Sequence, residues 1–211
     1  MISVSYLSVI DDLENVIDKL NNTNCDYIHV DVMDGEFVAN KTVDIDLIKD
    51  ILLRSNKKLD IHLMVKDIKD YVDKYSLLNP SIITIHYEAS HNIDNDIEYI
   101  KSKGIKVGVS IKPNTSVSSL FPYLQDIDLV LVMSVEPGLG GQKFIDSSVS
   151  KINTLYNLRK DNKLNYLISV DGGINDLTAS MCKCDILVVG NYITSSDDYQ
   201  KSIDKLRNEL D

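Results

Sequence analysis

Two histidines and two aspartates stand out through the positions they take. In Tyr27-Ile-His29-Val-Asp31-Val-Met33, an apolar run, His29 and Asp31 are two residues apart. Side chains two apart on a strand share a face. Asp60-Ile-His62-Leu-Met64-Val65 repeats the pattern: His62 shares a face with Asp60 and Met64, while Ile61, Leu63 and Val65 take the other. A third run, Ser169-Val-Asp171-Gly172-Gly173, ends on a carboxylate. Two imidazoles and two carboxylates meeting at one point suit a divalent cation such as Zn, Fe(II), Mn or Co better than magnesium. Taken singly, His29-x-Asp31 reads as a satisfied buried pair and Asp171 as a turn residue. Taken together the four imply a shared partner, because an unpaired buried carboxylate is costly. His86 is expected to pack beside such a site or support it, and His91, in a polar loop, to be solvated.

Glycines supply a second constellation. Glu136-Pro-Gly138-Leu139-Gly140-Gly141-Gln142, Asp171-Gly172-Gly173 and Gly190-Asn191 each follow an apolar run. Any one of them is an ordinary turn. Three in succession could bring backbone N–H groups close to a phosphate. Met33, Met64 and Met133 also fall at run ends; they read equally as core filling and as a dry ceiling over reacting carbons.

The elements that must position these groups alternate along the chain. Strands are expected at Ile2–Tyr6, Tyr27–Val32, Leu59–Val65, Ile82–Ile85, Val107–Ile111, Leu129–Met133, Tyr166–Val170 and Ile186–Val189. Apolar stripes of helical spacing separate them: Leu13, Val16, Ile17 and Leu20; Ile45, Ile48, Ile51 and Leu52; Val149, Ile152, Leu155 and Leu158; and, near Asp198–Leu210, Ile203, Leu206 and Leu210. Asp11, Thr115 and Asn175 are expected to cap the first, fifth and seventh helices, and Gly104 to close the fourth. Eight strand–helix units in 211 residues, apolar on both strand faces, fit a single (β/α)8 TIM barrel spanning 1–211. The polar groups then sit at C-terminal strand ends, where barrel active sites are built. The longest connections, Met33–Val43 and Val135–Ser147, carry the motifs.

Composition narrows the function classes. A net charge of −10, from 22 basic and 32 acidic side chains, argues against nucleic acid as a partner. It still permits a small anion held by backbone donors. No apolar run approaches the ~18 residues of a membrane span, and no leader peptide is expected from Met1-Ile-Ser-Val-Ser-Tyr. Cys25, Cys182 and Cys184, odd in number and without framework spacing, read as small buried thiols of a reducing, cytoplasmic setting.

Four stretches closely resemble the ribulose-phosphate 3-epimerase family: His29-Val-Asp31-Val-Met33-Asp-Gly35, His62-Leu-Met64-Val65, Val132-Met133-Ser-Val-Glu-Pro-Gly138-Leu-Gly-Gly-Gln-Lys-Phe144 and Val170-Asp171-Gly-Gly-Ile174. The likeness runs in order from about Ser3 to Gly190. It implies an enzyme that interconverts D-ribulose 5-phosphate and D-xylulose 5-phosphate. By that resemblance His29, Asp31, His62 and Asp171 hold one divalent metal ion, and Asp31 and Asp171 are also the acid/base pair. Ser5, His62 and the three methionines meet the substrate, whose phosphate rests on Gly138–Gly141, Gly172–Gly173 and Gly190–Asn191. The expected partners are a phosphorylated ketose and further copies of the chain in a homo-oligomer, with no nucleic acid and no membrane. The chain departs from the family pattern at Val4, Glu36, Ala39 and Asn191, which touches the phosphate grip and the loop after the second strand.

The same residues would serve an epimerase for another ketose phosphate, such as allulose 6-phosphate, or a non-catalytic sugar-phosphate binder. Barrels of the orotidine-decarboxylase type need an Asp-x-Lys-x-x-Asp run near the third strand, where this chain has Asp60-Ile-His62 and no lysine.

Overall fold

A computed structural model describes residues 1–210. Eight parallel strands, β1 (Ile2–Ser5), β2 (Tyr27–Met33), β3 (Lys58–Met64), β4 (Ile82–His86), β5 (Lys106–Ile111), β6 (Leu129–Met133), β7 (Leu167–Asp171) and β8 (Ile186–Val189), pair in chain order and close β8 onto β1. The outer face is a continuous apolar layer. Val4, Ile28, Val30, Ile61, Leu63 and Val65 pack there against the buried stripes of α1 (Leu13–Asn21), α2 (Ile45–Leu53), α3 (Ile68–Ser76) and their successors. Those are α4 (Ile93–Ser102), α5 (Ser148–Asp161), α6 (Asp176–Ala179), α7 (Asn191–Thr194) and α8 (Tyr199–Asn208).

The inner face departs from the expectation of strands apolar on both sides. Its apolar cluster comes largely from the β6 and β8 side, with Leu129, Leu131, Met133, Ile186 and Val188 joined by Tyr27 and Ile82. Ser3, His29, Asp60, His62, Thr84, His86 and Ser110 are buried on β1 to β5. Most of the lumen's buried polar groups thus lie on β1 to β5, with Ser169 added from β7, and among the described residues the Thr84, Ser110 and Ser169 hydroxyls have no hydrogen-bond partner to offset their desolvation.

Asn175 caps α6 in a reciprocal capping box with Thr178, and Gly104 closes α4 at φ +75°. Asp11 does not cap α1. It lies in a 3-10 turn, Leu7–Asp12, that runs straight into the helix, so no free helix start remains for it. Thr115 caps nothing either. The segment after β5 is a 3-10 turn, Val117–Tyr123, begun by Ser116 and containing Pro122, whose missing N–H disfavours a regular helix. Thr115 instead donates its hydroxyl to Glu88. Cys25 and Cys182 are buried as expected, but Cys184 is partly exposed. Among the described residues no helix is long and apolar enough to cross a membrane.

Candidate functional site

Strand register brings the four metal-type residues together. Asp31 lies beside His62 and His29 beside Asp60 in the β2–β3 ladder, while Asp171 arrives at the end of β7 from the other side of the lumen. One ligand atom from each of His29, Asp31, His62 and Asp171 falls within 4.8 Å of every other. His62 Nδ1 is 3.2 Å from Asp31 Oδ1 and 3.9 Å from Asp171 Oδ2. His29 Nε2 is buried and has no hydrogen-bond partner among the described residues, with Asp31 Oδ1 at 3.4 Å.

That orphaned nitrogen is the test of fit for a cation. His29 Nδ1 is taken by Asp60 Oδ2 at 2.8 Å, and the Ser3 hydroxyl donates to the same oxygen at 2.9 Å. With Nδ1 committed to Asp60, Nε2 is the nitrogen that His29 turns toward Asp31, His62 and Asp171, and a cation there would take the place of its proton. A carboxylate behind a histidine is the usual support of a metal ligand, and an N2O2 donor set suits a borderline divalent ion. The residues fit such an ion.

Electrostatics split the two aspartates. Burial opposes ionisation of Asp31, but the adjacent His29 and His62 outweigh it and hold its carboxyl well below the usual range. The Ser5 hydroxyl also donates to Asp31 Oδ2 at 2.8 Å. Burial first, and the charge of Asp31 second, push Asp171 up to about 6. His29 is raised well above its ordinary value, since Asp60 and Asp31 overcome the effect of burial. Carboxyl groups driven apart in this way can play unlike roles in proton transfer.

Above the four residues opens a cavity of about 550 Å³. Its lining contains Ser5, Asp31, Met33, Met64, Met133, Gly138, Leu139, Gly140, Gly141, Asp171, Gly172, Gly173, Gly190 and Asn191. His62 is not in the lining; it is fully buried beneath the floor, so direct substrate contact is not what its position offers. Lys143 is the one basic side chain lining the cavity, so an anion there would rely mainly on backbone donors. The two long loops meet across the mouth, where Asn40 Nδ2 donates to Gly138 O at 2.8 Å. The glycines differ in why they are there. At Gly173, φ is +64° and an added Cβ would lie 2.3 Å from the backbone nitrogen of Phe144. At Gly140 a Cβ would meet nothing within 4 Å.

The departures from pattern resolve by position. Glu36 and Ala39 are exposed and outside the lining, Val4 packs in the outer apolar layer, and only Asn191 faces the cavity. Two supporting carboxylates, Asp60 and Glu88, take roles that spacing along the chain does not reveal. Asp60 was visible as the face-mate of His62, but its partner is His29 on the next strand. Glu88, two residues past His86, receives His86 Nδ1 at 3.2 Å. Burial opposes its ionisation, yet hydrogen bonds from His86, Thr115 and the Lys112 amide outweigh this and bring it to about 2. Burial lowers His86 to about 4. His91 is exposed, as expected.

Comparison with known proteins agrees with this geometry. The model of the ribulose-phosphate 3-epimerase family matches residues 1–194. The chain belongs to the ribulose-phosphate 3-epimerase family. It is 36% identical to ribulose-phosphate 3-epimerase of Helicobacter pylori strain J99, over 99% of this chain and 94% of that one. It is 35% identical to the Bacillus subtilis enzyme of the same name, over 92% of each. Among solved structures, KGPDC from Streptococcus mutans superposes with a TM-score of 0.73 at 12% identity, covering 99% of this chain and 96% of that one. At that identity the likeness is one of fold.

Proposed function

We propose that this member of the family is a metal-dependent epimerase that interconverts D-ribulose 5-phosphate and D-xylulose 5-phosphate by moving the proton at C3. The observation that carries this reading is the pair Asp31 and Asp171. They rise from strands on different sides of the lumen to one point on the cavity floor, and in the metal-free chain their surroundings push the two carboxyl groups in opposite directions, Asp31 down and Asp171 up.

Epimerisation next to a ketone removes a proton from one face of a carbon and returns one to the opposite face. That requires two groups able to hold a proton, one per face of the planar enediolate. Asp31 and Asp171 fill these roles and exchange them with reaction direction. His29, Asp31, His62 and Asp171 would hold the cation, whether Zn, Fe(II), Mn or Co, and when bound it would supply Lewis-acid stabilisation of negative charge developing on oxygen. Ser5 fixes the Asp31 carboxylate through its hydroxyl. Met33, Met64 and Met133 give the floor an apolar rim that keeps water from competing for the proton. The phosphate rests against Gly138–Gly141, Gly172–Gly173 and Gly190–Asn191, which anchors C3 over the aspartates.

A turnover assay on metal-replete protein with a panel of ketose phosphates tests the reading. Ribulose 5-phosphate is expected to be epimerised most efficiently. Preference for allulose 6-phosphate would reassign the substrate, and tight binding of every sugar without turnover would make the chain a binding protein.

A further inference from the structure

His62 uses both ring nitrogens. Nδ1 faces Asp31 and Asp171, and Nε2 lies 2.9 Å from Nε2 of His86. Two ring nitrogens at that distance share one proton, so one donates and the other accepts. His86 directs its own Nδ1 to Glu88 Oε2. The second Glu88 oxygen accepts from the Lys112 amide at 2.7 Å and from the Thr115 hydroxyl. The Lys151 ammonium pins that turn by donating to the carbonyl oxygens of Lys112 and Thr115 at 2.9 and 2.6 Å. His62 and His86 are fully buried, and the Phe37 ring covers His86 at 4.9 Å between centroids.

The directions along this row follow from its end. An ionised carboxylate only accepts, so the His86 proton sits on Nδ1 and its Nε2 must accept. His62 Nε2 therefore donates, and Nδ1, which lies within hydrogen-bond distance of Asp31 at 3.2 Å, is the nitrogen whose lone pair a cation would take in place of the proton shared there. We propose that Glu88, acting through His86, is a positioning residue that holds His62 in the tautomer presenting Nδ1 to the cation. This rests on the reading of His62 as a metal ligand. Asp60 does the same for His29 in one step, by taking Nδ1 and freeing Nε2. Neither Glu88 nor His86 lines the substrate cavity.

The amide in Glu88→Gln makes the test sharp. The Lys112 N–H still needs an acceptor, so the amide oxygen takes that side and the NH2 group turns to His86. His86 must then accept at Nδ1 and carry its proton on Nε2, facing the proton of His62. Glu88→Ala imposes no direction, since water can fill the space. Zinc affinity is measured by competition with a chromophoric chelator, alongside the thermal midpoint of the metal-free protein. Glu88→Gln is expected to bind zinc roughly 10- to 100-fold more weakly than the unmodified chain. Glu88→Ala is expected to bind more tightly than Glu88→Gln while being the less stable of the two, an inversion that a merely structural role cannot produce. Zinc affinity unchanged in Glu88→Gln, or lower in Glu88→Ala than in Glu88→Gln, would overturn the proposal. Nitrogen-15 NMR of the zinc-loaded unmodified chain needs no variant. A His86 proton on Nδ1 is expected, and one on Nε2 would overturn it. His62→Ala separates the two readings: if it binds zinc as well as the unmodified chain, His62 is no ligand, and the role of Glu88 falls with that reading rather than through its own chemistry.

Discussion

Asp31 and Asp171 bring the same functional group into opposite settings, and the difference has a consequence for stability. Asp171 is raised from 3.8 to about 6 by burial and by Asp31. Below pH ~4 it is protonated in both folded and unfolded chains. Between pH ~4 and ~6 the folded chain keeps a proton that the unfolded chain has released, so the stability of metal-free protein falls as pH rises through that window. Asp171→Asn removes the fall. Its stability relative to the unmodified chain, measured by urea denaturation without metal, is expected to be higher at pH ~7.5 than at pH ~4.5; an equal difference at both would contradict the assignment. At this scale the four metal-type residues were legible because a strand's period of two places His29 with Asp31 and marks the face of His62. Asp60 and Glu88 were not assigned, because their role depends on which nitrogen of a neighbouring ring faces which way. That is fixed by cross-strand register and loop placement rather than by spacing along one strand.

Elements deliver these side chains, and the turns between them carry much of the constraint. Gly173 combines a left-handed backbone with backbone-to-backbone contact against Phe144, whereas Gly140 stands in open space. Gly173→Ala is expected to cost ~2 kcal/mol or more in urea denaturation, since a Cβ in the left-handed region alone costs ~1–2. Gly140→Ala should stay within ~0.5 kcal/mol. Equal losses would mean that the loop after β7 repacks freely. The capping box at Asn175 belongs to the same scale, and Asn175→Ala should lose ~1 kcal/mol in the same assay. All eight strands were readable within two residues at each end, because apolar runs bounded by turn residues have few alternatives. The helix starts were less so. Asp11 and Thr115 have the right chemistry for caps, but a 3-10 turn occupies the first place, and Pro122 leaves no regular helix to cap in the second.

For the whole molecule, alternating elements and motif order were enough to imply a closed barrel. They could not indicate where the lumen's buried polar groups gather, because inner and outer residues look alike in an apolar run until the register is known. Those polar groups tie folding to metal. Cation at about 100 times its dissociation constant should stabilise the fold by ~2.7 kcal/mol, raising the thermal midpoint by about 5–10 °C, and a chelator should reverse this. His29→Ala should show little of the shift; a full shift in that variant would put the cation elsewhere. Proton movement between the two faces of one carbon is read out in deuterium oxide. Metal-loaded protein is incubated with each pentulose phosphate, and the C3 position is followed by NMR. The unmodified chain should yield the other sugar with deuterium at C3. Asp31→Asn and Asp171→Asn, with metal content measured in each, should interconvert the sugars roughly 10²–10⁴-fold more slowly. One should still exchange the C3 proton of ribulose 5-phosphate, and the other that of xylulose 5-phosphate. Equal exchange of both sugars by both metal-loaded variants would contradict the paired-aspartate account.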